Sequence, residues 1–136
     1  RYPVKIKPGE HIVLNTADTS ALKRVPGIGS GFARAIVSYG QRLGGYVSVE
    51  QLREIGNFPE SAIAYFVVKH PVVKRLNLNK LSLSSLRKHP YIGFYQARAI
   101  IEYRRVHGKI SSLNDLKLCK DFTPEALSRL RPYVEF

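Results

Sequence analysis

The chain has 136 residues, 44% of them hydrophobic, enough apolar material for the core of one ordinary domain or two small ones. Its 22 Lys and Arg against 10 Asp and Glu give a net charge of +12 and a pI near 10.1, which favours a polyanionic partner. No apolar run approaches the roughly 20 residues that span a bilayer, and the single cysteine, Cys119, excludes an internal disulfide and a multi-cysteine zinc site.

The chain starts at Arg1 and contains no Met, so it reads as a piece of a longer polypeptide whose leader or anchor is missing. Residues 1–14 read as an N-terminal extension, in which His11, Ile12, Val13 and Leu14 form an apolar segment that is extended but assigned to no sheet. A first unit follows over 15–68. Asp18 predicts the N-cap of a helix over 19–24, which Val25 and Pro26 end because proline restricts the residue before it and lacks a donor. Gly27, Ile28 and Gly29 predict a tight turn. Ser30 is the expected cap of a longer helix in which Phe32, Ile36, Tyr39 and Leu43 recur at helical spacing, with Gly44 and Gly45 ending it. Ser48 and Gln51 have the spacing of a capping box for a third helix to about Glu54, and a fourth is expected from near Pro59.

Residues 69–78 read as an exposed linker around Pro71, ending on Arg75, Leu76, Asn77 and Leu78. The second unit, 79–136, repeats the first at a spacing of 64 residues without a gap. Asn15 falls on Asn79, Leu22 on Leu86, Pro26 on Pro90 and Gly29 on Gly93. Ala33, Arg34, Ala35 and Ile36 fall on Ala97, Arg98, Ala99 and Ile100, and the match runs on to Ala62 and Ala126. Helices are therefore expected over 83–88, 95–107, 113–118 and 124–133, with Gly108 as a break. The fold class is all-α, two tandem units of about four short helices each. Charge is uneven, since residues 1–72 carry nine basic and five acidic side chains and 73–136 carry thirteen and five.

The chemistry lies in the turn between the first two helices. A turn that opens into a helix exposes backbone N–H groups with no intrahelical acceptor, gathered at the positive end of the helix dipole, which makes an anion site. Across Pro26, Gly27, Ile28, Gly29, Ser30 and Gly31, the glycines are expected to supply positive φ angles and to let a phosphate approach the amides. Arg34 stands one turn beyond, and Lys23 and Arg24 flank the turn. Such a site reads backbone rather than base edges, so it implies binding with little sequence preference and steep salt dependence.

The order and spacing of Asn15, Thr16, Ala17, Leu22, Pro26, Gly27, Ile28, Gly29, Ala33, Ile36, Tyr39, Gly44, Gly45 and the run 48–52 resemble a competence protein ComEA-type helix-hairpin-helix domain, present twice. The resemblance implies a DNA receptor or DNA-uptake role, with the intact protein tethered outside the cytoplasmic membrane. It also implies phosphate-binding amides at Gly27, Gly29, Gly31 and Phe32, and in the second copy at Tyr91, Gly93, Tyr95 and Gln96, with Ile92 in the place of Ile28. There the pattern departs from the family, because Tyr91 replaces a glycine and Phe94 and Tyr95 replace Ser30 and Gly31. Those aromatics either stack on exposed bases of single-stranded or frayed DNA or pack against the neighbouring unit. Arg87, Lys88, Arg98, Arg104 and Arg105 give the second unit attraction by charge.

The later turns, at Gly56 and Asn57 and at Lys120 and Asp121, lack the two-glycine pattern and are given structural roles. His11, His70, His89 and His107 form no metal-ligand spacing, with His70 and His89 expected at the surface or as caps. Neither catalysis, cofactor nor metal is expected, and duplex DNA is the expected partner. Two other readings stand beside it: a protein-interaction scaffold of a secretion or membrane-associated assembly, and an accessory domain of a larger DNA-processing protein.

Overall fold

The computed structural model describes residues 4–136 and divides the chain into two compact units, Arg1–Val73 and Lys74–Phe136. In the first unit the order is β1 (Ile12–Val13), a 3-10 turn (Leu14–Thr16), α1 (Thr19–Leu22), α2 (Ser30–Leu43), 3-10 helices at Val49–Glu54 and Glu60–Tyr65, and β2 (Phe66–Val67). The second unit runs β3 (Leu76–Asn77), α3 (Leu83–Leu86), α4 (Phe94–His107), a 3-10 helix at Leu113–Leu116, α5 (Pro124–Leu130), a 3-10 turn at Arg131–Tyr133 and β4 (Val134–Glu135).

The all-α expectation holds for most of the regular structure and fails at the ends of each unit. There β1 pairs in parallel with β2, Ile12 opposite Phe66, and β3 with β4, Leu76 opposite Val134. An isolated two-residue strand carries no periodicity, and its partner lies more than fifty residues away, so local pattern could not assign it. Residues 4–14, read as an extension, contribute Ile6, Ile12 and Leu14 to the buried core of the first unit.

Helix starts follow their caps. The Asp18 carboxylate accepts from the Ala21 amide at 2.8 Å, Ser82 from Ser85 at 3.2 Å and Thr123 from Ala126 at 3.1 Å. Ser48 and Gln51 form the expected capping box, but the helix that they open is 3-10 rather than α. At the far end of α2, Gly44 turns left-handed with φ 90°. The amides of Gly44 and Gly45 then reach back to the carbonyls of Gln41 and Gly40, a Schellman closure.

The 64-residue repeat is a repeat of the core. Leu14, Leu22, Ile28, Ala33, Ile36 and Leu52 are buried, as are Leu78, Leu86, Ile92, Ala97, Ile100 and Leu116. Each such Leu or Ile contributes about 1.5–3 kcal/mol. The matching asparagines make equivalent bonds. Asn15 Nδ2 donates to the Tyr46 carbonyl at 2.8 Å while its Oδ1 accepts from the Tyr46 amide at 2.7 Å. Asn79 makes the same pair with Ile110, at 2.9 and 2.8 Å. Register drifts only in the last helix, where Ile12 and Leu76 stand 64 apart but Phe66 and Val134 stand 68 apart. The second unit has one more helical turn there.

Both units fold their first two helices about a four-residue turn, closed by Ile28 N–H to Val25 O at 3.0 Å and by Ile92 N–H to His89 O at 3.1 Å. The first has Pro26 second and Gly27 third with φ 89°, a type II turn. Gly27→Ala is therefore expected to destabilise the first unit by about 1–2 kcal/mol, because an L side chain resists that region. A thermal melt with no loss would overturn the assignment.

Candidate nucleic-acid interface

The first hairpin hangs from the core by Leu22, Val25 and Ile28, whose side chains are buried, so its crest at Pro26, Gly27, Gly29, Ser30 and Gly31 faces outward. Ser30 is the first residue of α2 and not its cap, as the sequence suggested. The cap is Gly29, which has no side chain to offer. Where α1, α3 and α5 satisfy an amide with a side chain, α2 leaves the amides of Gly29, Ser30, Gly31 and Phe32 without an acceptor among the described residues. Ala33, bonded to the Gly29 carbonyl at 2.9 Å, is the first one satisfied.

Of the three hairpin glycines, Gly27 alone has positive φ. Gly29, at φ −96°, has a backbone that any residue adopts. A Cβ built on Gly29 or Gly31 meets nothing within 4 Å. These two glycines thus serve neither conformation nor packing, and their effect is to keep the space outside the amides clear. Phe32 turns its ring onto Phe58, with centroids 5.7 Å apart, and leaves the amide at the site.

Arg34 is exposed one turn along α2 and faces no carboxylate within salt-bridge distance among the described residues. Lys23 and Arg24 are half-buried beside the turn, where residues 4–6 lie against them. Ile6 N–H donates to Arg24 O at 2.9 Å, Arg24 Nε to Val4 O at 3.1 Å and Lys5 Nζ to Lys23 O at 2.8 Å. Lys5 thereby joins the basic rim, an addition that sequence reasoning missed because the contact is made across the chain.

The second hairpin is chemically different. Tyr91 keeps a negative φ, and its amide donates to Nδ1 of His89 at 3.0 Å. The Gly93 amide donates to Oε1 of Gln96, also at 3.0 Å. Two of the amides assigned to phosphate are thus already engaged. Tyr91 is buried inside its own unit, its ring centroid 5.3 Å from His89 and 5.9 Å from Tyr133, with the Arg129 guanidinium 3.9 Å from the ring centroid. His89, expected at the surface or as a cap, is buried because it fills this aromatic cluster. Ile92 is buried like Ile28.

Phe94 and Tyr95, by contrast, are 40% and 61% exposed. Arg87 lies 5.2 Å from the Phe94 ring centre, and Arg98 lies 5.8 Å from Phe94 and 5.1 Å from Tyr95. Lys88 is exposed next to Arg87. Arg104 and Arg105 do not join this group, since ten residues of α4 place them about 15 Å along its axis. Arg104 donates to the Leu81 carbonyl at 2.6 Å, holding the loop before α3. Arg105 pairs with Glu102 at 2.8 Å, which raises its own pKa and lowers that of Glu102.

The later turns close by the same bond, Phe58 N–H to Ile55 O at 3.2 Å and Phe122 N–H to Cys119 O at 3.0 Å. Asn57, at φ 60°, takes the left-handed place that Gly27 holds in the first. Burial, then the Asp121 charge, push the Cys119 thiol above its ordinary pKa, which disfavours the thiolate.

The helix-hairpin-helix motif matches this chain twice, over residues 7–65 and 73–135. Among curated proteins, the chain is similar to endonuclease/exonuclease/phosphatase family domain-containing protein 1. It is 25% identical to the mouse protein over 92% of this chain and 28% of that protein. The zebrafish protein is 27% identical over 90% and 26%, and the human protein 23% identical over 92% and 28%. The chain thus spans just over a quarter of the length of these relatives. No solved structure matches it.

Proposed function

Because this chain belongs to the helix-hairpin-helix motif family, which it carries in two tandem copies, we propose that it binds double-stranded DNA through backbone phosphates, without sequence preference and without chemistry of its own. The observation that carries this reading is the uncapped start of α2, where the amides of Gly29, Ser30, Gly31 and Phe32 have no acceptor among the described residues and the space around the Cβ positions of Gly29 and Gly31 is open. A phosphate there satisfies donors that the protein leaves unmet, at the positive end of a fourteen-residue helix. The net charge of +12 adds long-range attraction.

Among the settings for such a module, the accessory arm of a larger DNA-processing protein is favoured over a DNA-uptake receptor. The support is the similarity to proteins whose name contains endonuclease and exonuclease, of which the chain spans just over a quarter. In this reading the chain holds DNA and leaves bond cleavage to other parts of the polypeptide.

Fluorescence-anisotropy titration of a labelled random duplex across a salt series tests the reading. Affinity is expected to fall linearly in log–log form as salt rises, and Arg34→Ala is expected to lower the magnitude of the slope by about 0.9, the release accompanying one phosphate contact on B-DNA. No binding even at low salt would sink the proposal and favour a protein-interaction scaffold. An unchanged slope would remove Arg34 from the interface.

A further inference from the structure

We propose that the start of α4 is a stacking platform for an unpaired nucleobase of single-stranded DNA, formed by Phe94 and Tyr95 and braced by Arg87 and Arg98. The inference rests on the reading that the chain binds nucleic acid and assigns its two hairpins different substrates.

Three changes coincide at the second hairpin. Its turn has no left-handed residue, its Gly93 amide is occupied by Gln96, and the positions held in the first unit by Ser30 and Gly31 are aromatic. The second, together with the Tyr91 amide held by Nδ1 of His89, removes donors that would meet a phosphate. The third puts two rings at the surface, edge to face with centroids 5.3 Å apart. Exposed rings gain most from a partner with a flat apolar face.

The charge around them selects that partner. Arg87, Lys88 and Arg98 have no carboxylate within salt-bridge distance among the described residues, and Glu102, which feels Arg98, is already held by Arg105. An apolar protein surface would have to meet these cations unpaired. A nucleotide brings a π-face and a phosphate together, and a single strand supplies the base without the cost of unstacking a duplex. Arg98, within cation–π distance of both rings, fixes them in place and is near enough to take the phosphate of the stacked nucleotide.

The chain has no Trp, so Tyr95→Trp installs a single reporter on the platform. Its fluorescence is expected to be quenched by a single-stranded oligothymidylate, and not by an abasic oligonucleotide of the same length or by blunt duplex. Replacing both rings, with Phe94→Leu and Tyr95→Leu together, keeps apolar bulk but removes the π-faces. Single-strand affinity is then expected to fall about tenfold, or about 1.4 kcal/mol, with duplex affinity unchanged. Equal quenching by the abasic strand, an unaltered single-strand affinity in the double leucine variant, or a response to anionic phospholipid vesicles instead would overturn the platform. If duplex binding by the wild type persists under those outcomes, the platform alone fails. Loss of binding to every oligonucleotide tested would sink the duplex-binding reading as well.

Discussion

Gly29→Val is expected to weaken binding to random-sequence duplex at least tenfold while leaving the first unit folded. A Cβ at this position meets nothing within 4 Å, and φ is −96°, so valine is accommodated without strain. Exchanging glycine for valine at a helix cap costs about 1 kcal/mol. The added methyl groups occupy the space through which a phosphate would reach the amides of residues 29–32. A hydrogen bond to a charged acceptor is worth about 1.5–3 kcal/mol, and 1.4 kcal/mol is already tenfold, so displacing one contact suffices. Gly93→Val is the matched control, because that amide already bonds Gln96, and duplex affinity is expected to hold. Anisotropy titrations with circular-dichroism melts would read both variants. Wild-type affinity in a folded Gly29→Val protein would eliminate the hairpin as a phosphate clamp.

For stability, the largest expected change comes from Asn15→Ala, at about 2–4 kcal/mol. The substitution removes the bonds of 2.7 and 2.8 Å that Asn15 makes to the partly buried N–H and C=O of Tyr46, and deleting one partner of such a bond costs about 1–3 kcal/mol. The Tyr46 ring also lies where a Cβ on Gly40 would sit at 2.7 Å, and its hydroxyl donates to Ile36 O at 2.6 Å. Loosening Tyr46 therefore loosens α2, which carries the hairpin. For a unit of this size the melting temperature should drop by at least about 10 °C. A melt indistinguishable from wild type would show that Asn15 does not hold the unit together.

What is legible in the sequence is local or repeated. Asp18, Ser48 and Gln51 announce helix starts because capping acts over three residues, and a spacing of 64 recovers the core because the same buried positions recur. Six-residue helices do not separate a period of 3.0 from 3.6, so the 3-10 character of Val49–Glu54 and Glu60–Tyr65 is out of reach. The hairpin residues are legible in type but not in role: Ser30 reads as a cap that Gly29 supplies, and positive φ is expected of three glycines where Gly27 alone adopts it. Tyr91 reads as a departure from the pattern. Its burial depends on Arg129 and Tyr133, some forty residues away, which no local pattern contains. Arg104 and Arg105 enter the candidate site for their charge, and only the length of α4 separates them from the turn.

The two parallel ladders also set a timetable. Ile12 finds its partner Phe66 only after more than fifty intervening residues have been made, and Leu76 waits as long for Val134. Contacts between the ends of a segment carry the loop-closure cost that makes them late in folding. On a ribosome the turn of residues 25–28, closed by the bond from Ile28 N–H to Val25 O, is made before the later segments of the core that buries Val25 and Ile28. Its unit locks shut when Phe66 emerges, while the rest of the chain is still being synthesised.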